Sequence, residues 1–148
     1  MSLFDNLVGD SDVVRPDFTG PESVIGIYLA ACACDGRPAR EELRSLSAIA
    51  RRMRMFEDLT TRKWQAIVDR LTKFVDKNGS LATVDCCVKT LPDGLAECVF
   101  ANACDLALSD GYFAPEEKEL LDHLHKALGL DSDAALNIVE VMIIKNRG

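Results

Sequence analysis

The chain has 148 residues, of which 48% are hydrophobic and 28% are charged, and its formal net charge is −7. This composition suits one soluble domain with a substantial core. The acidic excess argues against a general nucleic-acid binder, because such proteins neutralise phosphates with Lys and Arg. The longest apolar run covers residues 24–34, whereas a membrane-spanning helix needs about 20 apolar residues. We therefore expect neither nucleic-acid binding nor membrane insertion.

Residues 1–20 are predicted to form an N-terminal tail, since Gly9, Pro16 and Gly20 lie there among mixed polar residues. The first residues lack the basic-then-apolar order of a secretion signal, which favours a cytoplasmic location. The rest of the chain, residues 21–148, is predicted to be a single domain.

Helical signals follow one another through this domain. Pro21 favours a first helical turn, and the apolar stripe from Trp64 to Val75 recurs at helical spacing. Asn78-Gly79 is typical of a helix stop, and no segment alternates like a strand. Seven helical segments are predicted, at about residues 21–34, 43–53, 61–78, 80–91, 95–109, 115–128 and 132–145. The sequence thus predicts an all-α, compact bundle of about seven helices, with the apolar helix at 95–109 in its middle.

One pattern occurs twice, at residues 35–42 and 110–117. Both copies read Asp-Gly-x-x-x-x-Glu-Glu, follow an apolar helix and precede an amphipathic one. This self-similarity predicts two pseudo-symmetric helix-loop-helix repeats. Gly36 and Gly111 suit a reversal with positive φ, and the glutamates fall in a first turn that favours negative charge. Neither copy is a calcium EF-hand, because the first and third loop positions are apolar.

The doubled motif, flanked by alanine- and leucine-rich helices, resembles the TerB-like (tellurite resistance) family over about residues 21–130. The resemblance implies an all-helical fold, a bacterial cytoplasmic setting and a role in stress resistance. It also implies a divalent-cation site, for which Ca²⁺ or Mg²⁺ is the expected ion, formed by the acidic residues of the motif. The implied ligands are Asp35, Glu42, Asp110 and Glu117, with Glu41 and Glu116 as secondary candidates.

Two departures bear on this site. The residue four places after each aspartate is alanine, Ala39 or Ala114, so neither glutamate has the hydroxyl partner of a capping box. The copies also differ in charge: residues 35–54 contain three acids and six arginines, whereas residues 105–122 contain six acids and one lysine. A cation is expected to prefer the second copy, and arginines are expected to neutralise the first.

Other chemistry receives less support from the sequence. The six cysteines are interpreted as small core residues, with thiol chemistry by Cys32 or Cys34 as the alternative. His123 and His125 lie two apart on one helix and cannot share a metal, although Glu119 could pair with His123. No catalytic constellation is present, so we do not predict an enzyme. The alternative function is a protein–protein interaction module with purely structural loops, and the sequence does not fix an oligomeric state.

Overall fold

The computed structural model describes residues 18–36, 40–108 and 112–147. Within these ranges it contains seven α-helices and no strand, which confirms the all-α fold class. None of the described helices is both long and apolar enough to cross a membrane. The helices are α1 (Gly20–Ala33), α2 (Arg40–Arg51), α3 (Thr61–Asn78), α4 (Ser80–Val88), α5 (Ala96–Ala107), α6 (Pro115–Ala127) and α7 (Ser132–Lys145), with a 3₁₀ turn (Arg54–Phe56) after α2.

Helix α1 forms the centre of the bundle and packs against α2, α3, α4, α5 and α6. It is apolar on all sides, and eleven of its fourteen residues are buried. Gly26 permits the close approach of α4, because a Cβ added there would lie 2.4 Å from Cys87 Sγ. Helix α5, which the sequence analysis places in the middle, is less enclosed: it contacts α1, α2, α6 and α7, while Glu97 and Cys98 are exposed.

Helices α2 and α3 are amphipathic and bury one face each, as their spacing predicts. Leu46 and Ala50 are the buried residues of α2. Trp64 on α3 is buried against Phe56 in an edge-to-face contact with ring centroids 5.8 Å apart, and the guanidinium of Arg51 lies over its ring. The first residue of the predicted apolar stripe thus lies in the core.

The described fold begins before residue 21. Phe18 is buried and packs edge-to-face against Phe74 of α3. Thr19 and Glu22 form a full capping box at the start of α1: Glu22 Oε1 accepts from the Thr19 amide at 3.0 Å, and Thr19 Oγ1 accepts from the Glu22 amide at 3.2 Å. Arg70 of α3 pairs with the other oxygen of Glu22. The remainder of the predicted tail, residues 1–17, lies outside the described residues.

Candidate functional site

The first copy of the motif lies between α1 and α2. Gly36 has φ +136°, the positive value that the sequence predicts, and a Cβ there would meet no atom within 4 Å. Backbone conformation, and not space, therefore favours glycine at this turn. Asp35 is exposed, and Glu41 and Glu42 lie in the first turn of α2. Residues 37–39 lie outside the described residues.

The second copy leads into α6, and its glutamate acts as a helix cap. Glu117 Oε1 accepts a hydrogen bond from the Ala114 amide at 2.7 Å. The methyl group of Ala114 cannot return a bond, so only half of a capping box forms. Glu117 therefore has a structural role as a helix cap, even though Ala114 has no hydroxyl group. Asp110 and Gly111 lie outside the described residues, so the predicted placement of Asp110 beside Glu117 stays a prediction.

Carboxylates from both copies act electrostatically on the two cysteines at the end of α1. Burial raises the pKa of the Cys32 thiol most, and the carboxylates of Glu42, Asp35 and Glu117 raise it further. Burial likewise raises the pKa of Cys34 to about 12, with contributions from Glu117, Asp35 and Glu116. Four of the predicted site residues, from both copies, thus raise the pKa of one or both thiols at the end of α1. Glu41 is exposed and is not among the residues that act on either thiol.

A cavity of about 450 Å³ opens at the same end of the bundle; we call it the acidic cavity. Cys34 and Gly36 from the first loop line it together with Glu116 from the start of α6, so the two copies meet at one cavity. Its charged lining residues are Asp76, Glu116 and Glu119. Asp76 and Glu119 were not predicted for this site. Asp76 lies on α3, which approaches the loops only through tertiary packing.

The donor chemistry of this end fits a hard cation, since carboxylate oxygens are the ligands that Ca²⁺ and Mg²⁺ prefer. The spacing of the described side chains supports a cation less than their chemical type does. Among the described residues, no three His, Cys, Asp or Glu side chains lie close enough together to hold a metal ion, and Glu117 already caps α6. Asp110, the remaining predicted ligand, lies outside the described residues.

Neither histidine forms the pair considered from the sequence. His123 Nε2 lies 2.7 Å from Asp85 Oδ1 of α4, so the expected partner Glu119 is replaced by a residue from another helix. His125 Nε2 lies 3.3 Å from Asp122 Oδ1, and its Nδ1 lies 3.3 Å from the Leu130 carbonyl. Both rings therefore have structural partners.

The cysteines only partly follow the prediction that they are core residues. Cys32, Cys87 and Cys104 are buried, Cys34 and Cys86 are partly buried, and Cys98 is exposed. The raised pKa values of Cys32 and Cys34 keep both thiols protonated near neutral pH, the opposite of what an activated nucleophile requires. The structure thus argues against thiol chemistry at these two positions.

The chain was compared with protein-family models, curated proteins and solved structures, and none of them matches it.

Proposed function

We propose that this chain is a TerB-like, non-enzymatic helical protein, built from two pseudo-symmetric repeats, that binds a divalent cation through its acidic loops and acts in a stress response. The observation that carries the proposal is that residues of both copies line one cavity, Cys34 and Gly36 from the first loop and Glu116 from the start of α6. Loops at opposite ends of the bundle would have offered at most two incomplete sites.

The electrostatics of this end support the same proposal. The acidic cavity contains three carboxylates and no Lys, Arg or His among its described lining residues. Like charges held close together repel, and a bound cation relieves that repulsion. The expected consequence is that cation binding stabilises the fold and depends on the loop carboxylates.

Thermal unfolding with Ca²⁺, Mg²⁺ and Mn²⁺ tests this proposal. At a cation concentration of about 100 times Kd, the melting temperature of the parent should rise by about 5–10 °C. Asp35→Asn and Glu117→Gln should reduce this rise, and Glu117→Gln retains an oxygen that can accept from the Ala114 amide. Glu140→Gln, on the exposed face of α7, is the matched control and should retain the full rise. Absence of a rise with all three ions, or an equal rise in all variants, would refute cation binding.

A second candidate function is a protein–protein interaction module with structural loops. The capping bond from the Ala114 amide to Glu117 favours it, because it gives the motif glutamate an architectural role without metal. Charge reversal at Glu116 and Glu119 should then weaken partner capture equally with and without added cation. Weakening that occurs only in the presence of cation would favour the first function instead.

A further inference from the structure

A second concave surface lies where the end of α2 and the 3₁₀ turn meet α5 and the end of α7. This groove, of about 600 Å³, shares no lining residue with the acidic cavity. We call it the methionine groove, because three of the four methionines of the chain line it. They are Met53, Met55 and Met142.

The apolar lining of the groove is adaptable. Methionine side chains are unbranched and polarisable, so they can fit apolar ligands of irregular shape. Ile49 and Leu95 extend the apolar surface on either side. The volume lies within the range of small-molecule pockets, about 300–1,000 Å³, which are mostly apolar with a few polar groups.

A short hydrogen-bond chain connects Met53, in the lining of the groove, to the core. The Asn102 amide donates to the hydroxyl of buried Tyr28 at 2.8 Å, and that hydroxyl donates to Met53 Sδ at 3.2 Å. Tyr28 is fully enclosed in the core, so this chain fixes Met53 relative to α1 and α5. The groove therefore contains one methionine that is bonded to the core, Met53, together with Met55 and Met142.

The charges at the rim are opposite in sign to the net charge of the protein. Arg52 and Arg54 line the groove, are exposed and form no ion pair with any residue in the part of the chain that the structure describes. Lys145 Nζ instead binds both oxygens of Asp105, at 3.0 and 2.9 Å. Three basic residues and one acidic residue leave a formal charge of +2 in the groove (3 − 1), within a chain of net charge −7.

We propose that the methionine groove binds a single-chain amphipathic carboxylate, such as a medium- or long-chain fatty acid. The alkyl chain packs on the three methionines, and the carboxylate lies between Arg52 and Arg54. Complementary charge selects the headgroup, because Arg52 and Arg54 form no ion pair among the described residues, whereas Asp105, the acid of the groove, is paired with Lys145. The small-molecule size of the groove selects a single chain over a peptide. This site is independent of the acidic cavity and does not rest on the proposed function.

Methyl NMR of protein that is ¹³C-labelled at its methionine and isoleucine methyl groups tests the proposal, with dodecanoate as the probe at concentrations below micelle formation. Dodecanoate should shift the methyl resonances of Met53, Met55 and Met142 saturably, and it should leave the methyl of Ile144, an exposed apolar residue outside the groove, unshifted. Decanoate should bind about fifteenfold more weakly, since each buried methylene strengthens binding about fourfold.

Matched variants and probes separate this proposal from its competitors. Arg52→Gln and Arg54→Gln should each weaken dodecanoate binding up to about fivefold, whereas Arg62→Gln, on an exposed position of α3, should not. Equal binding of dodecyltrimethylammonium would overturn the proposal, because the headgroup charge would then not matter. Shifts at Ile144 alone would indicate non-specific adsorption and would also overturn it. So would shifts of the three methionines by an acidic helical peptide but not by dodecanoate.

Discussion

The acidic cavity and the methionine groove have opposite charge, although α2 extends from one to the other. Helix α2 begins four residues after Gly36, which lines the acidic cavity, and Arg52 and Arg54 follow its last residue at the groove. A helix of twelve residues is about 18 Å long, well beyond a Debye length of about 8 Å at physiological salt. The two concave surfaces therefore act as electrostatically separate regions.

This separation changes how the charges of the first copy are interpreted. Read along the chain, six arginines in residues 35–54 are expected to neutralise three acids. In the fold, Arg52 and Arg54 line the methionine groove, and Arg51 lies over the ring of Trp64. These three arginines therefore lie against other groups and not against the acids of the first copy. Arg37 lies outside the described residues, so its role in neutralising the first copy stays a prediction.

The largest effect is expected from a substitution that loosens α2, the helix shared by both regions. Leu46 is 1% exposed and is one of the two buried residues of α2. Leu46→Ala should lower the free energy of unfolding by about 2–5 kcal/mol, through lost burial and a residual cavity. Urea denaturation followed by circular dichroism measures this change.

The control for Leu46 is Ile144→Ala, which removes an apolar side chain that is 62% exposed. This variant should change the free energy of unfolding by no more than about 0.5 kcal/mol. An equal loss of unfolding free energy in both variants would show that Leu46 does not anchor α2. Helix α2 would then not hold the two regions together.

A smaller gain is expected at the acidic end from completing the half capping box of α6. Ala114 has φ −70° and ψ 159°, close to the values at Thr19, Thr60 and Asp131, whose side chains each accept from a backbone amide of the following turn. Ala114→Ser should therefore raise the free energy of unfolding by about 0.5–2 kcal/mol.

The matched control places the same substitution inside a helix. Ala66→Ser, on an exposed position of α3, offers no N-cap and should lower stability by a few tenths of a kcal/mol. Urea denaturation of both variants provides the comparison. A loss of stability at residue 114 as large as that at residue 66 would mean that the start of α6 does not behave as an N-cap.

Local signals in the sequence were sufficient for the helices. The Asn78-Gly79 stop is confirmed by φ +86° at Gly79, and at the other end of α3 Thr60 Oγ1 accepts a capping bond from the Lys63 amide at 3.2 Å. Each signal acts within one or two helical turns, so it can be read without knowledge of the tertiary contacts. The same holds for the positive φ at Gly36.

The sites required contacts between distant segments, which a single sequence does not encode locally. Asp76 contributes to the acidic cavity only because the α3–α4 turn reaches the loops. The methionine groove joins residues 49–55 with α5 and with Met142, more than 85 positions later. Likewise, His123 pairs with Asp85 across two helices and not with its neighbour Glu119.

The smallest effect concerns the thiols of the two regions, Cys34 at the acidic cavity and Cys98 at the methionine groove. Iodoacetamide should alkylate exposed Cys98 first. It should alkylate Cys34 slowly, because burial and nearby carboxylates raise the Cys34 pKa to about 12 and only the thiolate reacts. A raised pKa means that the thiolate fraction at pH 8 is small, and the Cys34 rate should increase about tenfold per pH unit toward pH 12.

The carboxylate contribution to Cys34 can be separated from burial with two exposed acids, one next to Cys34 in the chain and one on α7. Asp35→Asn removes a charge that acts on Cys34 and should speed its alkylation about two- to threefold, the size expected of a solvent-screened charge. Glu140→Gln removes a charge from the exposed face of α7, outside the acidic cavity, and should leave the rate unchanged. Added salt should accelerate the parent more than Asp35→Asn, because salt screens the carboxylate. Equal rates in all three proteins, measured by mass spectrometry of the Cys34 peptide, would show that burial alone protects this thiol and that Asp35 does not contribute to a shared acidic field.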